Sequence, residues 1–67
     1  MNVRYKILEY YAQISVLKKK LRATDYKALK FAEGELSEYD YAPIRQERRN
    51  LRLQINELEE EIKRLKR

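Results

Sequence analysis

The chain has 67 residues, of which 40% are charged, and its formal net charge is +5. Because this length suffices for one domain at most, we expect a single helical domain over residues 1–67. The lack of Cys and His excludes disulfides and ordinary zinc sites, and no apolar run is long enough to cross a membrane. So small a chain buries little apolar surface, which favours stabilisation by a partner subunit.

The first predicted element is a helix over residues 3–22. Its apolar side chains recur at steps of four and three, the spacing of a helix that packs along its whole length. These side chains are Val3, Ile7, Tyr10, Ile14, Leu17 and Leu21. Leu8 and Tyr11 widen the stripe on one flank, and a stripe this wide favours contact with more than one neighbour. We therefore predict that Leu8 and Tyr11 form an oligomer interface, in which a second copy completes a helical bundle.

Residues 24–42 are predicted to connect two long helices and to contain a short helix over residues 25–33. Thr24 or Asp25 is suited to cap the short helix, and Gly34 is suited to end it. The apolar side chains expected to dock this helix on the long ones are Ala28, Leu29, Phe31 and Ala32.

The last predicted element is a helix over residues 43–66. Ser37 and Asp40 form the pattern of a capping box, and the turn that begins there is expected to end or kink at Pro43. Pro43 suits a first helical position, where its missing N–H costs nothing. The apolar seam consists of Ile44, Leu51, Ile55, Leu58, Ile62 and Leu65, with Arg48 where an apolar residue is expected. The predicted fold is therefore all-α: an antiparallel helical hairpin with coiled-coil-like packing that dimerises into a bundle.

Folding the chain into a hairpin gathers cations at its connector end. They are Lys18, Lys19, Lys20 and Arg22 of the first helix and Arg45, Arg48, Arg49 and Arg52 of the last. Clustered Lys and Arg bind phosphates without sequence preference. One interpretation is therefore a nucleic-acid-binding surface, for which the candidate residues are Lys18, Lys19, Lys20, Arg22 and Arg48. The alternative is a solvated helix face, partly neutralised by Asp25, Glu33, Glu35, Glu38 and Asp40 of the connector.

Six tyrosines in so short a chain point to protein recognition, because Tyr buries a large area and keeps a polar tip. Tyr10 and Tyr11 fit the packed stripe, whereas Tyr39 and Tyr41 in the connector are better placed to meet a partner. Nearby arginines recur at steps of four and three and therefore share one helix face. The candidate partner-binding residues are Tyr39, Tyr41, Arg45, Arg49 and Arg52.

No catalytic or cofactor-binding constellation is recognisable in the sequence. Without His or Cys, a nucleophile would have to be Ser, Thr or Lys, and none has a recognisable activating base. The single Gly excludes a glycine-rich phosphate loop. A run of carboxylates is interpreted as an exposed face with i,i+4 ion pairs, with phosphate mimicry or a divalent cation as alternatives: Glu57, Glu59, Glu60 and Glu61. We predict a non-enzymatic protein without metal or cofactor.

Three stretches of the chain resemble a known segment: TDYKALKFAEGELS at 24–37, YAPIR at 41–45 and LRLQINELE at 51–59. The segment is found in short proteins of phages and prophages of Gram-positive bacteria, and it is similar to the end of some longer phage structural or tail-associated proteins. The resemblance covers about residues 24–59 and assigns no activity and no functional residues. It implies a small phage-encoded protein that acts in the bacterial cytoplasm or in the virion.

The function predicted from these observations is a small phage-type protein-binding module that acts sterically. Its partner would be a larger protein, either a tail or assembly component or a host enzyme or defence complex that it inhibits, as anti-CRISPR proteins do. The alternative is a nucleic-acid-binding accessory protein that uses the basic end of the hairpin. A steep loss of binding as salt rises would distinguish phosphate binding from an apolar protein interface.

Overall fold

Residues 3–66, which the computed structural model describes, form three α-helices: α1 Val3–Ala23, α2 Asp25–Ala32 and α3 Glu38–Leu65. The helices α1 and α3 run antiparallel, because Leu21 contacts Arg48 whereas Tyr11 contacts Lys66, just after α3. The result is a rod with extents of 50 × 15 × 15 Å, and α2 lies at one end of it. The predicted all-α hairpin is confirmed.

The core between the two long helices is built mainly from isoleucines, and Leu51 and Tyr41 are also buried on α3. Ile14 of α1 is buried in one cluster with Ile55 and Ile62 of α3. Half-buried side chains pack against this cluster: Ile7, Tyr10, Leu17, Leu21 and Leu58. All of these side chains occupy positions that the four-three spacing predicts to be packed. Val3, the first residue of the predicted α1 seam, is exposed instead.

Gly34 ends α2, as the sequence predicts. Its φ of 78° lies in the left-handed region, which Gly adopts at little cost. The Gly34 N–H donates to the Phe31 carbonyl oxygen (3.0 Å), and the Glu35 N–H donates to the Lys30 carbonyl oxygen (2.8 Å). This Schellman arrangement satisfies carbonyl groups at the end of α2 and redirects the chain toward α3.

The helix α3 begins at Glu38 rather than at the predicted Pro43, and it continues through the proline. The Ser37 Oγ accepts a hydrogen bond from the Asp40 N–H (3.1 Å), which confirms the predicted cap. Pro43 removes a single backbone hydrogen bond from the second turn of the helix. An exposed ion pair between Glu38 and Arg45 spans the proline.

Candidate functional site

Arg48 occupies the seam position where an apolar residue is expected, and its side chain is 13% exposed. Its Nη1 donates to the Leu21 carbonyl oxygen (3.1 Å), to Thr24 Oγ1 (2.7 Å) and to Asp25 Oδ1 (2.9 Å). The Thr24 hydroxyl in turn donates to the Leu21 carbonyl oxygen (2.8 Å) instead of capping α2. Arg48 therefore ties the end of α1 and the start of α2 to α3, and it lies in this junction rather than on the predicted basic surface.

Tyr41 is 8% exposed, and its ring stacks on Phe31 of α2 with centroids 4.3 Å apart and an interplanar angle of 8°. The Arg45 guanidinium lies 5.1 Å from the Phe31 centroid and 5.2 Å from the Tyr41 centroid. Its Nη2 donates to Glu38 Oε2 (3.1 Å) and its Nη1 to Oε1. This hydrogen bonding lowers the pKa of the Glu38 carboxyl and raises the pKa of Arg45. The cluster holds α2 against α3.

The structure therefore divides the predicted partner-binding residues. The side chains of Tyr41 and Arg45 make contacts within the chain, so neither is available to bind another molecule. Tyr39 is 89% exposed, because two residues are a rotation of roughly 200° around a helix and place it opposite Tyr41. Arg49 and Arg52 are also exposed on α3.

Most cations of the connector end have no carboxylate partner. Arg45 and Arg48 pair with Glu38 and Asp25, so connector carboxylates do fold toward the basic end, as the alternative interpretation requires. The other six of the eight cations are exposed and make no ion pair with any side chain of residues 3–66: Lys18, Lys19, Lys20, Arg22, Arg49 and Arg52. The neutralisation is therefore partial, and the end stays positive.

The outer side of α2 carries an exposed apolar surface formed by Tyr26 and Leu29. The expected docking of Leu29 and Ala32 on the long helices does not occur, since both are exposed. Ala28 and Phe31 are half-buried instead. These two are three residues apart and share one helix face, and Tyr26 and Leu29 share the opposite face for the same reason. The spacing of these residues along the sequence could therefore have predicted that Tyr26 and Leu29 lie on the face of α2 opposite Ala28 and Phe31.

Leu8 and Tyr11, the predicted oligomer interface, are both exposed on α1. Lys66 Nζ donates to the Tyr11 hydroxyl oxygen (3.0 Å) and lies 5.6 Å from the centroid of its ring. Because α2 lies at the opposite end of the rod, it does not cover this pair. Apart from the contact with Lys66, residues 3–66 leave this apolar flank exposed.

An open groove of about 590 Å³ runs between α1 and α3, on the side of the rod opposite Leu8 and Tyr11. It is lined by Tyr10, Gln13, Val16 and Leu17 of α1 and by Gln54, Glu57, Leu58 and Glu61 of α3. Since Gln13 and Gln54 both line the groove, the flanks that carry them lie on the same side of the helix pair. At about 100° of rotation per residue, the positions of these two glutamines show on which side of the helix pair any other residue of α1 or α3 lies.

The acidic run near the end of α3 makes local ion pairs. Glu60 pairs with Lys63 (3.5 Å) and Glu61 with Arg64 (3.4 Å), both at i,i+3 rather than at the predicted i,i+4 spacing. Across residues 3–66, no group of three or more acidic side chains is arranged to hold a metal ion. In the same part of the chain, none of the helices is both long enough and apolar enough to cross a membrane.

Comparison with known proteins finds no family model, curated protein or solved structure that matches the chain. The candidate binding surface therefore consists of the exposed aromatic and apolar side chains at the connector end and the unpaired cations beside them.

Proposed function

We propose that this chain is a protein-binding module that acts sterically, by presenting the connector end of a stiff helical hairpin to a larger protein. The observation that carries the proposal is the exposure of Tyr26, Leu29 and Tyr39 at that end. Tyr is among the most frequent binding hot spots, because it combines a large apolar area with a polar tip. A partner that fully buries an apolar side chain of this size gains roughly 1.5–3 kcal/mol from it.

The contacts behind these side chains support the proposal. Arg48 holds the junction of α1 and α2, and the stack of Tyr41 on Phe31 holds α2 against α3. A preorganised surface loses less conformational entropy on binding than a mobile one. The proposed action is non-enzymatic and needs no cofactor, which agrees with the lack of His and Cys.

The phage-type resemblance supports a partner of phage or bacterial origin. It covers residues 24–59, which include α2 and most of α3 and therefore the three exposed side chains. A phage tail or assembly protein would incorporate the hairpin as a structural part. A host enzyme or defence complex would be blocked by it, in the bacterial cytoplasm.

Self-association is the second part of the proposal. Leu8 and Tyr11 are exposed in the half of the rod away from α2. Two copies that overlap over this half would form a four-helix bundle and leave both connector ends accessible. We expect a dimer in sedimentation at tens of micromolar, a melting temperature that rises with concentration, and a monomer for Leu8→Glu. A parent chain that sediments as a monomer would contradict this part.

Site-specific photocrosslinking tests the protein-binding proposal. A photoreactive amino acid replaces Tyr39 or, as a matched control, Tyr5, which is also exposed but lies at the far end of the rod. In bacteria that carry the related phage or prophage, we expect a discrete crosslinked partner protein from position 39, whereas position 5 should crosslink no protein other than a second copy of this chain.

Alanine variants complete the test. The double variant Tyr26→Ala/Tyr39→Ala should keep the melting temperature of the parent, because both side chains are exposed, and should no longer capture the crosslinked protein. Tyr5→Ala should capture it normally. Equal crosslinking of the partner protein from positions 5 and 39, or its normal capture by the double variant, would refute the proposed surface.

A further inference from the structure

Four of the unpaired cations lie on the side of the rod opposite the groove. Lys18 and Arg22 are about one turn apart on α1, and Arg49 and Arg52 are about one turn apart on α3. At about 100° per residue, all four are rotated by roughly 140–180° around their helices from the glutamines that line the groove. Because those glutamines share one side of the helix pair, the four cations share the other.

The register of the hairpin brings the two pairs of cations side by side. The hydrogen bond from Arg48 to the Leu21 carbonyl oxygen places these residues at the same height. Lys18 lies three residues before Leu21 on α1, and Arg52 lies four residues after Arg48 on α3. Because the helices are antiparallel, Lys18 and Arg52 are therefore at a similar height along the rod. Arg22 and Arg49 lie beside each other nearer the connector end. Packed helices lie about 8–10 Å apart, so the cations form two short adjacent rows.

No carboxylate of residues 3–66 lies within ion-pair distance of these rows. Within residues 3–66 none of the four cations makes an ion pair, whereas Asp25 and Glu38 of the connector are bound to Arg48 and Arg45. Like charges at this separation repel each other. The rows are therefore an electrostatic cost to the isolated chain, and a bound polyanion would remove it.

The residues that continue these flanks toward the middle of the rod are Ser15 and Asn56, both exposed, small and polar. The centres of protein interfaces are poor in charge and rich in apolar anchors, whereas phosphate backbones are bound by Lys and Arg together with Ser and Asn side chains. We propose that the two-helix basic face, defined as Lys18, Arg22, Arg49 and Arg52, binds the phosphate backbone of a nucleic acid without reading its sequence. This activity is separate from the proposed protein partner, which meets the aromatic side chains of the connector.

The two-helix basic face differs from the basic surface predicted from the sequence. Arg48 is engaged at the junction of the helices. Lys20 follows Gln13 by seven residues, two full turns, and therefore lies on the groove side. Lys19 follows the buried Ile14 by five residues, a rotation of roughly 140° around α1, and therefore points away from α3. The arginines of α3 take the place of these three.

Fluorescence anisotropy with a labelled duplex DNA oligonucleotide of random sequence tests the proposal. Four phosphate contacts predict a slope of about −3.6 in a plot of log K against log salt, so binding should weaken roughly 150-fold between about 50 and about 200 mM salt. Arg49→Glu/Arg52→Glu should lose most of the affinity, and the slope should become shallower, at about −1.8 or closer to zero. Its melting temperature should stay equal or rise, because the charge reversal relieves repulsion, and this readout excludes unfolding as the cause.

The matched control is Lys6→Glu/Lys20→Glu, which changes the net charge by the same amount. Lys6 and Lys20 lie seven residues before and after Gln13, on the groove side. This control should keep the slope and most of the affinity of the parent. Equal loss in both double variants would overturn the proposal, because binding would then follow net charge and not the face.

Two further outcomes would also overturn it. One is DNA binding by Arg49→Glu/Arg52→Glu that equals the parent. The other is competition by poly-L-glutamate that matches unlabelled DNA at equal charge concentration, which would assign the face to an acidic protein. Neither outcome bears on crosslinking at Tyr39, so this proposal and the protein-binding proposal fail independently.

Discussion

Replacing Arg48 with Ala removes the side chain that joins all three helices. The guanidinium reaches Leu21 at the end of α1, Thr24 between the helices and Asp25 at the start of α2. An alanine at this position leaves the helices intact but takes away the link that fixes their relative placement. We expect a large loss of stability from this one substitution at the junction of the helices.

The size of the loss follows from the geometry. One Nη1 carries two hydrogens and faces three acceptors, so its hydrogen bonds are shared. Each net hydrogen bond contributes about 0.5–1.5 kcal/mol. The Leu21 carbonyl keeps the Thr24 hydroxyl and N–H as donors, and the Asp25 side chain is 54% exposed, so its ion pair adds about 1 kcal/mol or less. With the lost packing of the aliphatic stem, Arg48→Ala should cost roughly 2–3 kcal/mol.

Thermal unfolding followed by circular dichroism measures this loss. For a domain of this size, 1 kcal/mol shifts the melting temperature by about 4–8 °C, so Arg48→Ala should melt roughly 10–20 °C below the parent. Arg49→Ala is the control, because the neighbouring side chain is exposed and unpaired, and its effect should stay within about 0.5 kcal/mol. If the two variants melt alike, the junction does not stabilise the fold and the magnitude argument is wrong.

Three other predictions concern the core, the aromatic stack and pH. Ile55→Ala should cost about 2–5 kcal/mol in urea unfolding because the side chain is buried, whereas the exposed Leu53→Ala should change little. Tyr41→Ala should cost about 3–5 kcal/mol because it removes the buried stack, whereas Tyr39→Ala should melt like the parent; equal melting of the two would contradict the placement of Tyr41. The pKa of Glu38 is lowered in the folded chain, so its stabilising effect is present above the unfolded value and is lost as the pH falls through the folded value. Glu38→Gln should therefore flatten the decline in stability below about pH 4.5, and an unchanged acid profile would show that the ion pair contributes nothing.

The helices and their packed faces were predictable from local patterns. The spacing that includes Ile14 and Ile55 repeats within a few turns, so the seam is visible without knowledge of what covers it. Gly34 and Ser37 act on neighbours only a few residues away, because helix ends are satisfied locally. The start of α3 was wrongly placed at Pro43, because the turn that Ser37 caps continues through the proline into the long helix.

The candidate surfaces depended on the tertiary structure. Arg48 and Arg49 are adjacent and chemically identical, yet Arg48 has hydrogen-bond partners 23 to 27 residues away, whereas Arg49 makes no ion pair within residues 3–66. One residue is a rotation of about 100° around a helix, so the register of the hairpin decides which guanidinium meets a partner. Tyr39 and Tyr41 are separated in the same way. The sequence determined which residue types gather at the connector end, and the packing of α1 and α2 on α3 decided which of them hold the fold and which face solvent.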